Sequence, residues 1–239
     1  MITIAEATQN HFLAALSEDI LLRWLPNLEW VEIPLGAVLY ESGEKVDFVY
    51  FPTAAIASLH HVLADGVSAE IAVVGKEGVV GIFVVMGDGT TTNRALVQGG
   101  GQGIRMPAEK FKKEFKRSAV VLHLTLRYTH ALITQMAQTA VCNRHHSLDQ
   151  QLCRWLLSSL DRLRGDELIV TQEFITKTLG VRREGVHEAA SQLQDAGLVH
   201  YSRGRIHVLD RKELERRSCE CYAVVKREYD RLLPSMPVP

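Results

Sequence analysis

The sequence predicts an α+β chain: a small β-barrel or β-roll, then a long helix, then a pair of short helices followed by a β-hairpin. Three observations carry this. Hydrophobic patterning changes from short alternating runs to helical spacing near Pro107. Apolar and small residues then step by four and three from Leu122 to Asn143. Finally, two short amphipathic segments, each stopped by a glycine, precede a basic hairpin within residues 168–210.

Length and composition set the frame. A chain of 239 residues with 46% hydrophobic and 23% charged residues is globular, with one large or two modest domains. No apolar run reaches the roughly 18 residues that span a bilayer. The first residues do not read as a secretory signal, and four cysteines are too few for a disulfide framework. A cytoplasmic location without membrane contact is expected. The net charge of −1 advertises no global attraction to nucleic acid, so any such site must be local.

Near the start, Phe12, Leu13, Leu16, Ile20, Leu21 and Trp24 repeat at helical spacing, and Pro26 limits that helix. Short strands follow at residues 31–40, 48–51, 55–63, 69–74 and 94–98, rich in β-branched and aromatic residues. Asp65-Gly66 between two of these runs signals a hairpin. Residues 108–115 form a short charged helix. In the long helix after it, Leu122, Leu126, Thr129, Ile133, Met136 and Ala140 read as a dimerisation seam, with Thr129 and Asn143 suited to setting its register; the alternative is a helix packed on its own domain. Residues 146–163 form another amphipathic helix.

The segment from residue 168 to 210 is the most specific. Thr171 is a candidate N-cap, and Gly180 a candidate helix stop. A turn leads to a second helix from Arg183 to about Ala196, closed by Gly197. Phe174, Leu179, Val181, Val186, Ala190 and Leu193 would lock the two helices together as a helix-turn-helix. The opposite face carries Arg182, Arg183, Glu184, His187, Glu188 and Ser191. Arginine can donate twice to guanine, and glutamate can accept from cytosine. Arg203 and Arg205 stand on the hairpin, placed for phosphate contact, and Thr171 and Gln172 complete the candidate DNA-binding set.

With these residues in view, the chain resembles the Crp/Fnr superfamily of bacterial transcription regulators, named for the cAMP receptor protein. The resemblance is strongest from Cys142-Asn-Arg-His-His-Ser-Leu-Asp through Arg203-Gly-Arg-Ile-His-Val-Leu-Asp and persists to Cys219-Glu-Cys-Tyr. Pro34-Leu-Gly-Ala-Val-Leu-Tyr-Glu-Ser-Gly-Glu and Tyr50-Phe-Pro resemble the family's N-terminal β-roll. The resemblance implies a cyclic-nucleotide-binding-like sensor over residues 1–118, a dimerisation helix over 119–145, a winged helix-turn-helix over 146–225 and a tail over 226–239. Where the family's cAMP binders have a Gly-Glu pair for ribose and an Arg-Ser pair for phosphate, this chain has Gly81-Ile82 and Asn93-Arg94. Isoleucine cannot accept a ribose hydroxyl proton, and Met136 and Ala137 offer the purine no useful hydrogen bond. A degenerate nucleotide pocket is therefore expected, with Arg94 as a displaced phosphate ligand the alternative. The family's Arg-Glu-x-x-x-Arg reader becomes Arg183-Glu-Gly-Val-His-Glu188, so the usual family operator is not assumed.

Other motifs are discounted. Gly99-Gly-Gly-Gln-Gly103 reads as a turn between strands, since no helix start follows to aim its amides at phosphate. Cys142, His145 and His146 could lie close on a helix, but no fourth ligand is evident, and Cys219 and Cys221 are too tight for a Cys-x-x-Cys knuckle. No metal and no cofactor are expected. His60-His61 reads as a strand pair facing opposite sides. No nucleophile–base–orienter set stands out, so an enzyme is not expected. The expectation is a homodimer that binds a palindromic DNA operator, contacts RNA polymerase, and answers to an effector that is an unidentified small molecule. The rival is a small-molecule-binding β-roll that signals through protein contacts and carries a vestigial DNA domain.

Overall fold

A computed structural model describes residues 2–163, 165–202 and 204–233. Three short helices open the chain: α1 (Ile4–Ala7), α2 (His11–Ala14) and α3 (Glu18–Trp24). The single helix expected across Phe12–Trp24 is thus two, because Ser17 interrupts it with an extended backbone. Asn10 caps α2 through its Oδ1 while its Nδ2 donates to the carbonyls of Pro52 and Gly78, tying the N-terminus to the sheets.

Seven antiparallel strands follow: β1 (Glu29–Ile33), β2 (Val38–Tyr40), β3 (Phe48–Pro52), β4 (Ile56–Val62), β5 (Ser68–Val74), β6 (Asn93–Gly99) and β7 (Gly101–Pro107). They form two sheets, ordered β1-β7-β3 and β2-β6-β4-β5. The expected Asp65-Gly66 turn joins β4 to β5, with Gly66 at φ 85°. The glycine run is different from its expected form: most of it is strand, in β6 and β7. Close approach explains the glycines. A Cβ on Gly101 would sit 2.7 Å from the Ala54 backbone, and one on Gly103 would sit 3.2 Å from the Phe51 carbonyl oxygen, besides meeting the movable tip of Ile33.

The main core lies inside this roll. Phe12, Trp24, Phe51, Phe111 and Tyr128 are buried together, with ring centroids about 6 Å apart in tilted and edge-on pairs. α4 (Ala108–Arg117) contributes Phe111 and also Glu114, which accepts from Arg23 and from Trp24 Nε1. Burial pushes Glu114 up, but those bonds outweigh it and hold its carboxyl below the ordinary range.

α5 (Ala119–His145) is a single 27-residue helix capped by Ser118. One face packs on the roll. Its Gln135 Oε1 accepts from Val73 N at 2.6 Å, which satisfies a backbone donor on the edge strand β5. Beyond it come α6 (Leu148–Leu160), β8 (Glu167–Ile169), α7 (Gln172–Leu179), α8 (Arg183–Asp195), β9 (Val199–Ser202), β10 (Arg205–Val208), α9 (Arg211–Arg217) and α10 (Glu220–Leu232). Of the segment 226–239 expected to be a tail, residues 226–232 are the end of α10, and residues 234–239 lie outside the described residues. In α10, Tyr229 and Leu232 join the roll's core, and Gln135 Nε2 donates to the Tyr229 hydroxyl at 3.3 Å. Among the described residues no helix is long and apolar enough to cross a membrane.

Candidate nucleic-acid interface

α6, α7, α8 and the sheet β8-β10-β9 enclose a second core around Trp155, Leu157, Ile175, Val186, Leu193 and Ile206. The local chemistry shapes its two key helices. Thr171 Oγ1 accepts from Phe174 N and starts α7; Gly180, at φ 66°, ends it in the left-handed region that favours glycine. The turn 180–182 then launches α8, which Gly197 follows at φ 72°. All six residues expected to lock the helices lie in or against this core. Strand β8 adds a third strand to the expected hairpin; Leu168 and Ile206 are paired across it.

The outward face of α8 is concrete. Arg182, Arg183, Glu184, His187 and Glu188 are exposed, and Ser191 is half-buried. Arg183 and Glu184 occupy the first turn, and His187 and Glu188 the next. Gln172 Nε2 lies 3.4 Å from His187 Nδ1, so the two helices share this surface. Arg205 is exposed but bonded to Glu167 at 2.5 Å, which spends part of its charge within the wing. Arg203 lies outside the described residues.

The seam residues divide. Leu126 and Ile133 are 51% and 57% exposed, and Ala140 is also exposed, while Leu122 and Met136 are half-buried. Thr129 is 6% exposed, buried by its own chain. Thr129 is thus not part of the exposed stripe that Leu126, Ile133 and Ala140 form on α5. Asn143 is exposed.

In the roll, Gly81 adopts φ 88° and Ile82 is 1% exposed in the main core. Asn93 is buried, and Arg94 donates from Nε to Glu41 at 2.8 Å. Of the histidine pair, His60 is buried and His61 exposed, as alternation requires. His60 Nε2 lies 2.8 Å from Ser58 Oγ, and Ser58 donates to the buried Glu70.

Sequence reasoning missed one constellation. Cys142, His146, Cys219 and Cys221 bring four ligand atoms within 4.8 Å of one another. The expectation that no fourth ligand joins Cys142 and His146 is corrected: α10 delivers two thiols from more than seventy positions away. His145, by contrast, is exposed. The sequence signal was the i, i+4 spacing of Cys142 and His146, beside a second close cysteine pair.

Comparison with known proteins agrees with this geometry. Residues 150–217 match the family model of the Crp-like helix-turn-helix domain. No curated protein matches the chain. Among solved structures, a Crp/Fnr-family protein from Eubacterium rectale superposes with TM-score 0.67 at 20% identity, covering 84% of this chain and 94% of its own. FixK2 from Bradyrhizobium japonicum gives 0.66 at 16% identity, covering 80% and 98%. The CRP-family regulator TTHB099 from Thermus thermophilus gives 0.66 at 18%, covering 79% and 96%. Residues 150–217 thus match a Crp-like helix-turn-helix domain, and the chain shares its fold with these solved Crp/Fnr-type structures.

Proposed function

We propose that the chain is a dimeric, sequence-specific DNA-binding transcription regulator whose sensor roll does not answer to cAMP. The exposed first two turns of α8 carry this reading. Arg183, Glu184, His187 and Glu188 project from a helix whose other face is locked in a core, which is how a recognition helix enters a major groove. From the sequence, Arg203 and Arg205 are expected to contact phosphate, with Thr171 and Gln172 completing the DNA-binding set. Two copies pair through Leu126, Ile133 and Ala140 of α5, whose apolar side chains the chain itself leaves uncovered. RNA polymerase is the expected partner at a promoter, and the cytoplasm the expected place.

Against cAMP stands Ile82, packed in the core where the resemblance implies a ribose-binding carboxylate. Arg94 Nε donates to Glu41 at 2.8 Å, a surface ion pair that would compete with a phosphate for this guanidinium. An effector of other chemistry would act by binding one arrangement of the paired recognition helices better than another.

The test is binding to a fragment of the chain's own promoter across a salt series. Regulatory binding predicts that affinity for this fragment exceeds that for scrambled DNA and falls linearly on a log–log plot, with a slope set by the phosphates neutralised. Equal, weak affinity for both would favour the rival reading of a roll that signals through protein contacts.

A further inference from the structure

The cluster at the foot of the long helix has a place in neither the DNA surface nor the sensor. Cys142 occupies the last turn of α5 and His146 is that helix's C-cap, with the His146 N–H bonded to the Cys142 carbonyl at 3.0 Å. Cys219 is the N-cap of α10, and Cys221 lies in its first turn. The three cysteines are 0%, 5% and 1% exposed, and none is in a disulfide.

We propose that Cys142, His146, Cys219 and Cys221 form a closed tetrahedral site for one soft divalent metal ion of the zinc class, clamping the start of α10 to the end of the dimerisation helix.

The spacing has the size of a single ion. Zinc bonds of about 2.3 Å to sulfur and 2.0–2.1 Å to nitrogen place tetrahedral ligands roughly 3.8 Å apart for two sulfurs and 3.6 Å for sulfur and nitrogen. Here Cys142 Sγ and Cys219 Sγ are 3.5 Å apart, and Cys221 Sγ and His146 Nδ1 are 3.6 Å apart. An iron–sulfur cluster would hold its ligands farther apart, because an iron–iron separation intervenes between them. Three thiolates and an imidazole with no acidic ligand select zinc over magnesium or calcium.

The surroundings fit as well. His146 Nε2 faces Glu220 Oε2 at 3.4 Å. A proton on Nε2 pointing at that carboxylate leaves the Nδ1 lone pair directed at the sulfurs, the arrangement by which carboxylates orient metal-binding histidines. Three thiolates, a neutral imidazole and a divalent ion sum to one negative charge. Arg154, 6% exposed, is the buried cation that acts on both Cys142 and Cys221. Its Nε has no hydrogen-bond partner among the described residues. Binding breaks the three S–H bonds, forms three sulfur–metal bonds and one nitrogen–metal bond, and releases three protons to solvent.

The site lies where the chain leaves α5 for α6, so an ion there would fix the exit of the DNA-binding segment. It does not depend on whether the chain binds DNA. The test is metal analysis of the full-length reduced protein, followed by exchange of the bound metal for Co2+. The expected result is about one zinc ion per chain that survives dialysis and is released by a mercurial thiol reagent. Co2+ should then give the intense visible bands of a tetrahedral site and a thiolate-to-cobalt band in the near ultraviolet. Cys219→Ser/Cys221→Ser should abolish both, and His146→Ala should shift the cobalt spectrum while keeping the sulfur band. Since these variants can misfold, the wild-type protein decides independently: added Zn2+ should protect three of its four thiols from alkylation. Wild-type thiols that alkylate equally with and without Zn2+, iron accompanied by acid-labile sulfide, or a Cys142–Cys219 disulfide whose reduction restores no metal uptake would each overturn the proposal.

Discussion

Replacing Glu70 by glutamine should make the protein more stable in alkaline solution and leave it almost unchanged in acid. Glu70 is fully buried, on the sheet face toward Arg154 and Trp155 of α6. Burial pushes its carboxyl up to about 7 from an ordinary 4.5, against the opposing pull of Ser58, Arg154 and Arg162. Between those two values the folded chain holds a proton that the unfolded chain has released. This group's contribution to stability is therefore fully present below about pH 4.5 and is lost as the pH rises through 7. At 1.36 kcal/mol per pKa unit the loss is about 3 kcal/mol once Glu70 is ionised. Neighbouring His60 works in the opposite sense, since burial pushes it down to about 4 and favours the folded state as the pH rises from there to 6.5. Only the difference between wild type and variant isolates Glu70. Urea unfolding should find Glu70→Gln more stable by about 2–3 kcal/mol near pH 8, with the gap shrinking below about 1 kcal/mol near pH 5. Parallel stability curves for the two proteins, or a variant less stable at pH 8, would refute the reasoning.

Leu126→Asp/Ile133→Asp should convert a two-chain species into a one-chain species by sedimentation, with an unchanged circular dichroism spectrum, because both side chains are exposed within one chain. A wild-type protein that is already one chain at micromolar concentration would contradict the seam. cAMP at about one hundred times a micromolar Kd would stabilise a binding protein by about 2.7 kcal/mol. Thermal unfolding should show no such shift here, and a saturable one would restore a working nucleotide pocket despite Ile82.

Much of this molecule is legible in its sequence because local chemistry marks it. Thr171, Gly180 and Gly197 delimit α7 and α8 through a side-chain cap and two left-handed glycines, all of which act within a few residues. The Asp65-Gly66 hairpin is readable for the same reason. Features set by distant contacts are not. The glycines of β7 erase the alternation that betrays a strand, and the backbones of Ala54 and Phe51, brought close in the fold, leave little room for side chains there. Thr129 fits a heptad by spacing, but spacing alone does not tell which side of a helix its own chain covers, and this position is buried. The metal-ligand geometry needed α10 to return to the end of α5, a docking that Tyr229 and Leu232 secure through a core far from them in sequence.

The most direct test of the account is a selection of randomised DNA by the wild-type protein and by Arg183→Ala. Arg183 is exposed in the first turn of α8, at the end of the helix that meets base edges. The wild type should recover an inverted repeat with half-sites about one helical turn apart. Arg183→Ala should lose preference at one position of each half-site, at a cost of roughly 1–3 kcal/mol for the cognate base pair. Recovery of no inverted repeat by the wild type, or of an unchanged motif by Arg183→Ala, would contradict the claim that α8 reads DNA sequence.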